Sequence, residues 1–316
     1  MIVDIIILII ALFFLVASSN LFVNSSSKIA KNLGVSELII GLTLVAIGTS
    51  TPELFSAILA SIYKQGPLVI GNIIGANVAN IAFIFGISLF LIVYLKKNED
   101  ILHELKFLFL VYFLLLIFSL DLKISNFEGM ALLLLLIYYL FDTFRRKKKP
   151  EEYLKRHIKV RGIKKEMWFN NIKNYLFLVI SLIVLIFSAK YLVSSAGNVA
   201  NYFGVSSKLI GVLMAIGTTF PELSVTIQAA RKRYMGILVG DLVGSCIVNV
   251  ILVLGLASTI SSIILSNTIF IEIGIMSLLA FLIYLFFTHK TRNQKLLGYG
   301  LIGIYILFLI LEFILV

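Results

Sequence analysis

The chain has 316 residues, of which 60% are hydrophobic and 14% charged, with a formal net charge of +11. Apolar runs of membrane-spanning length recur from end to end, which excludes an ordinary soluble domain and indicates a polytopic helical membrane protein. A lone cysteine, Cys246, rules out an intrachain disulfide and a cysteine-rich metal site, and His103, His157 and His289 all fall in polar connections, away from any buried metal centre.

The first apolar run carries Asp4 instead of a basic leader and passes into Ser18, Ser19 and Asn20 without a cleavage signal, so it reads as a retained span. With about 17 residues as the minimum crossing, the sequence predicts ten spans, at 3–24, 37–63, 67–94, 105–122, 127–144, 174–202, 206–230, 235–262, 267–288 and 296–315. Phe107 to Phe118 and Leu176 to Phe187 are almost continuously apolar, which fits helices and not the alternating strands of a barrel. The connections after spans 1, 3, 5, 7 and 9, with Lys106, hold 23 of the 27 lysines and arginines. Lys64, Lys123 and Lys208 lie on the other side, and Lys190 within span 6 can snorkel or pair. The positive-inside rule therefore puts both termini outside and the odd-numbered connections in the cytoplasm, in a multi-pass cell (plasma) membrane protein. Because the basic charge follows topology and the anionic face of the lipid, it does not indicate nucleic acid. No obligatory protein partner and no cofactor is evident.

Residues 145–173, beginning Arg145-Arg146-Lys147-Lys148-Lys149-Pro150, read as a basic cytoplasmic linker between repeats at 1–144 and 174–316. Gly34-Val35-Ser36 matches Gly204-Val205-Ser206, and Gly48, Glu53, Gly71, Gly75, Asn80 and Gly86 match Gly217, Glu222, Gly240, Gly244, Asn249 and Gly255. The offset is 170 at the start and 169 from Gly48 onward, a single slip that marks internal duplication. With five spans in each half, the second copy must enter the membrane from the opposite side. Such inverted repeats, with interrupted helices and a site near the midplane, are the signature of a secondary transporter.

Each copy holds one glutamate in an otherwise apolar span, in Gly48-Thr49-Ser50-Thr51-Pro52-Glu53 and Gly217-Thr218-Thr219-Phe220-Pro221-Glu222. A charge at that depth costs at least about 2.5 to 3.5 kcal/mol, so it marks a functional position by default. Pro52 and Pro221 free the carbonyls of Gly48 and Gly217, and broken backbone is tolerated in a membrane where it lines a polar cavity. Together with the oxygens of Thr49, Ser50, Thr218 and Thr219, the two glutamates make an all-oxygen set suited to hard cations, calcium above all. In the following spans Asn72, Ala76 and Asn80, and likewise Asp241, Ser245 and Asn249, repeat every four residues along one helix face. Asn80 and Asn249 are candidate ligands or supports of the glutamates, whereas Gly71, Gly75, Gly240 and Gly244 read as close helix packing.

These two motif copies, with Gly75-Ala76-Asn77-Val78-Ala79-Asn80 and Gly244-Ser245-Cys246-Ile247-Val248-Asn249, resemble the cation/calcium exchanger superfamily, specifically its sodium/calcium exchanger branch. The resemblance implies an all-α, ten-helix fold in which spans 2, 3, 7 and 8 build the ion sites, spans 1 and 6 slide against that core, and sodium drives calcium by alternating access. It makes Glu53 and Glu222 the central ligands, Thr49, Ser50, Thr218 and Thr219 flanking ligands, Ser245 a sodium ligand, and Asn80 and Asn249 a midplane pair. The chain departs from the pattern at Ala76, where serine is usual, and at Asn249, where some members carry aspartate, which makes potassium co-transport unexpected. Asp241, where asparagine is commoner, either restores a charge near the pathway or pairs with a basic residue. The reading is a sodium/calcium antiporter and not an enzyme. Proton/calcium or other divalent antiport is the alternative within the class, and a passive cation channel the more distant one.

Overall fold

The computed structural model describes residues 2–33, 45–91, 99–146, 164–202, 207–288 and 293–315. In chain order the helices are α1 (Ile2–Leu33), α2 (Ala46–Thr49), α3 (Thr51–Ile62), α4 (Gly66–Leu91), α5 (Glu99–Phe118), α6 (Asn126–Arg146), α7 (Lys164–Tyr202), α8 (Ser207–Thr218), α9 (Phe220–Arg231), α10 (Met235–Ile260), α11 (Ile269–Thr288) and α12 (Gln294–Leu315). Among the described residues, seven helices are long and apolar enough to cross a membrane, with α8 and α9 taken together as one. The first eight residues of predicted span 2, the end of span 3, Gly34-Val35-Ser36, Gly204-Val205-Ser206, His157, His289 and most of the linker lie outside the described residues.

Three helices depart from the predicted spans, and the first, α1, runs on to Leu33, nine residues past the predicted end at 24. Helix α5 starts at Glu99 and ends at Phe118, several residues earlier than expected at both ends, and α7 starts at Lys164, inside the expected linker. Hydropathy marks where hydrocarbon begins, while a helix follows its backbone hydrogen bonds into flanking residues of good helical propensity, such as Lys, Glu and Met. Beyond α5, Leu122 takes a left-handed conformation (φ 59°) that turns the chain into a two-residue strand, β1 (Lys123–Ile124). It pairs antiparallel with β2 (Ile263–Ile264), a small exception to an otherwise helical fold.

Helices α4 and α10 form the centre: 83% and 94% of their most apolar windows are buried, against 22–44% for α5, α6, α11 and α12. Small residues let neighbours approach to backbone contact. A Cβ on Gly71 would sit 2.6 Å from the Lys208 carbonyl, and one on Gly211 2.7 Å from that of Leu68, so α4 and α8 touch main chain to main chain. The long helices α1 and α7 pack mainly on each other, and reach the centre chiefly through α9 and α8 respectively.

The duplication is visible in local geometry. Helix α3 ends through Lys64 at φ 56° and α9 through Arg233 at φ 61°, positions 169 apart. The following amides, Gln65 and Tyr234, bond back to the carbonyls of Ala60 and Ala229 at 2.7 and 2.8 Å, the same helix-ending turn in both halves.

Candidate ion-binding site

The sequence breaks its helices where the prolines require. Ser50 (ψ 7°) separates α2 from α3, and Thr219 (ψ 0°) separates α8 from α9, each a one-residue interruption with Pro52 or Pro221 in the first turn beyond it. Glu53 and Glu222 occupy those first turns, where the positive end of a helix dipole favours an anion. Both are 0% exposed, and among the described residues none of their four carboxylate oxygens has a hydrogen-bond partner. They are close enough to repel one another.

The halves interlock around this pair. The hydroxyls of Thr49, Ser50 and Ser245 lie nearest Glu222, and that of Thr218 lies beside Glu53, so Thr49, Ser50 and Thr218 each face the carboxylate of the opposite half. Ser50 Oγ, Asn72 Nδ2, both amide atoms of Asn80 and Asn249 Oδ1 are buried and unpartnered as well. Unsatisfied buried polar groups are rare and call for an explanation in ions or water. The Thr219 hydroxyl donates to the Ala215 carbonyl at 2.8 Å, as that of Thr49 also approaches the Val45 carbonyl at 3.0 Å. Ala76 is buried at the site's rim, where its counterpart Ser245 places a hydroxyl 3.4 Å from that of Thr49.

Asp241 belongs to this constellation. It is 0% exposed, receives the Thr49 hydroxyl at 3.0 Å and that of Thr226 at 3.4 Å, and lies close enough to Glu222 to repel it. On the opposite half Thr218 donates to Asn72 Oδ1 at 3.3 Å, the same contact 169 residues along with an amide in place of the acid. Among the described residues, no group of three His, Cys, Asp or Glu side chains forms a metal cluster by itself, so any ion here also draws on hydroxyl, amide and carbonyl oxygens.

Two participants escape a search for residues spaced by four. Asn77 donates to the Cys246 carbonyl at 3.2 Å and accepts from Asn249 Nδ2 at 3.0 Å. Cys246 Sγ in turn faces the Asn77 carbonyl at 3.8 Å. Asn77 and Cys246 are equivalent positions, so α4 and α10 cross on the relation between the halves. The available signal was an asparagine within an apolar span. The second, Thr226, looks like an ordinary helix hydroxyl until the fold brings Asp241 to it.

Comparison with known proteins agrees with this architecture. The chain matches the family described as sodium/calcium exchanger protein over residues 3–144 and 173–314. It is 33% identical to the sodium/calcium exchanger MaX1 of Methanosarcina acetivorans, with 98% of this chain and 99% of that protein covered. It is also 30% identical to the inner membrane protein YrbG of Escherichia coli, covering 80% and 79% respectively. A solved structure of the sodium-calcium exchanger NCX_Mj superposes with a TM-score of 0.81 over 97% of both chains at 26% identity. A match over both halves of the chain, with a relative aligned over nearly its full length, establishes that this multi-pass membrane protein belongs to the sodium/calcium exchanger family of transporters.

Proposed function

We propose that this protein exchanges sodium for calcium across the cell membrane by alternating access, with Glu53 and Glu222 as the shared cation ligands. The observation that carries the reading is the pair of fully buried carboxylates without a hydrogen-bond or cationic partner among the described residues. Burying one uncompensated charge costs several kcal/mol, and two together cost more, so a transported cation is the natural counter-charge. Two carboxylates balance one calcium ion or two monovalent ions, and competition for the same charges couples the fluxes. Thr49, Ser50, Thr218, Ser245, Asn80 and Asn249 add neutral oxygens, whereas the Thr219 hydroxyl bonds the Ala215 carbonyl and its own carbonyl accepts the Leu223 amide. The burial of these central side chains is consistent with a site that opens to one side at a time.

Several polar contacts support ten spans in two inverted repeats. Asp4 with Asn198, Lys208 with Glu272 and Glu312, and β1 with β2 join ends assigned to the outside. Lys232 with Asn24, and His103 with Asp142, join ends assigned to the cytoplasm. None of these contacts crosses sides.

The test is uptake of labelled calcium into liposomes containing purified protein, loaded with sodium and diluted into sodium-free buffer, against choline-loaded controls at matched pH. Sodium-dependent uptake, abolished in Glu53→Gln and Glu222→Gln, is the expected result. Uptake indifferent to sodium but driven by an imposed pH gradient would replace this reading with proton/calcium exchange. Flux that needs no counter-ion would indicate a channel.

A further inference from the structure

We propose that Asp241 is a third cation-ligating carboxylate, forming with Thr49, Ser245 and Glu222 a sodium subsite on one side of the glutamate pair. The inference rests on the antiport reading above and goes beyond it in assigning a ligand and an ion.

Asp241 is completely buried, and its hydrogen-bond donors are two neutral hydroxyls, Thr49 at 3.0 Å and Thr226 at 3.4 Å. Thr49 has a single hydroxyl hydrogen, yet its oxygen lies 3.0 Å from the Val45 carbonyl as well as 3.0 Å from Asp241. One hydrogen cannot serve both acceptors fully, so one side of this contact is left electron-rich. No salt bridge to Asp241 occurs among the described residues.

A second observation points to a ligand at the same place. Both oxygens of Glu222 are buried and unpartnered, and their neighbours are the hydroxyls of Thr49, Ser245 and Ser50. Thr49 and Ser245, 3.4 Å apart, thus lie between two carboxylates that repel each other. The set comprises two carboxylates, two hydroxyls and the Val45 carbonyl. It contains hard oxygen donors only, which suits an alkali or alkaline-earth cation. With the glutamate pair taking the divalent ion, the added single charge of Asp241 fits a monovalent one.

The repeat supplies an internal control. Asn72 occupies the equivalent position and accepts the equivalent threonine, Thr218, at 3.3 Å. The fold therefore makes this contact with an amide, and an acid is not required for packing. Asp241 adds charge on one side only, in a chain that lacks a hydroxyl at Ala76 and a carboxylate at Asn249.

Asp241→Asn reproduces the arrangement of the other half and is the decisive variant. In the liposome assay we expect its half-maximal sodium concentration to rise roughly 10-fold, with a shallower sodium dependence, while the calcium midpoint moves by less than about threefold. In detergent, sodium chloride should raise the melting temperature of the unaltered protein above that in choline chloride, and the difference should be smaller in Asp241→Asn, which keeps the glutamate pair. Unchanged sodium dependence, or equal losses toward both ions, would overturn the subsite. If neither Asp241→Asn nor Asp241→Ser yields folded protein, Asp241 is structural and the proposal falls. Glu222→Gln run alongside separates the two levels: full calcium transport in that variant sinks the glutamate-pair reading itself, whatever Asp241 does.

Discussion

Asn77 shows how one side chain can hold two halves of a protein in register. Its amide donates to the Cys246 carbonyl while its oxygen accepts from Asn249, so both ends are used at the point where α4 and α10 cross. Asn249 is thereby oriented, and its own Oδ1 is left unpartnered toward the site. Replacing Asn77 with alanine strands the Asn249 amide and the Cys246 carbonyl in a sealed interior, where each unsatisfied group costs about 1–3 kcal/mol. The expected outcome is a clear drop in melting temperature in detergent and weaker ion binding. Because the two side chains share one hydrogen bond, Asn249→Ala added to Asn77→Ala should cost less than the sum of the single changes. Additive losses would show that Asn77 does not act through Asn249. At this scale the sequence reading reaches the glutamates, hydroxyls and asparagines through motif and periodicity. It does not reach Asn77 or Thr226, because their importance comes from partners that only the folded chain brings beside them.

Between elements, the half-helices are held by two unlike contacts. Helix α8 meets α4 through Gly71 and Gly211, where an added Cβ would stand 2.6 and 2.7 Å from opposing carbonyls. Gly211→Ala must push α8 away from α4, displacing Thr218 from Asn72. Transport should fall by at least about 10-fold, since loss of even supporting contacts has that effect on ion affinity, with the protein still purifying as a folded species. Wild-type flux in that variant would mean α8 tolerates the shift. At its beginning α8 is anchored by Lys208, which bonds Glu272 at 2.6 Å and Thr268 at 2.9 Å and lies 3.2 Å from Glu312. Lys208→Met leaves two acids facing each other in a nearly closed space, and losing one partner of a buried pair costs about 3–5 kcal/mol. Glu312→Gln leaves a balanced Lys208–Glu272 pair and should cost much less. Melting temperatures of the two variants check the order, and equal losses would contradict it. The helix interruptions themselves are legible because proline lacks an amide hydrogen. The π-helical segments Ala79–Ile84 and Asn249–Leu254, which widen α4 and α10 beside the asparagines, have no such marker in composition. Lys208 likewise reads as a topological charge until α11 and α12 bring their acids to it.

For the whole molecule, the helical fold and the matching of motifs between the two halves are readable because hydropathy and a 169-residue offset are long-range patterns that survive local irregularity. The ends of helices are less readable, since hydrocarbon thickness and backbone bonding stop at different residues, as α5 and α7 demonstrate. The orientation assigned from basic residues makes a prediction that the buried cysteine renders simple to examine. Cys246 is 0% exposed and packed against Asn77, so a polar maleimide should leave the folded native chain unlabelled. A cysteine placed at Lys123, exposed at the start of β1, then reports one face, and one at Arg233, exposed in the turn between α9 and α10, reports the other. In whole cells an impermeant maleimide should label Lys123→Cys and leave Arg233→Cys untouched until the membrane is opened. The reverse pattern would invert the molecule in the membrane while keeping its fold. Labelling of both from outside would mean that the number of crossings between them is even, contrary to the assigned topology. With the predicted pattern, Asp241, in the second turn beyond Arg233, lies toward the cytoplasmic side of the glutamate pair, and its symmetry mate Asn72 toward the outside. The extra carboxylate would then lie on the cytoplasmic side of the proposed site.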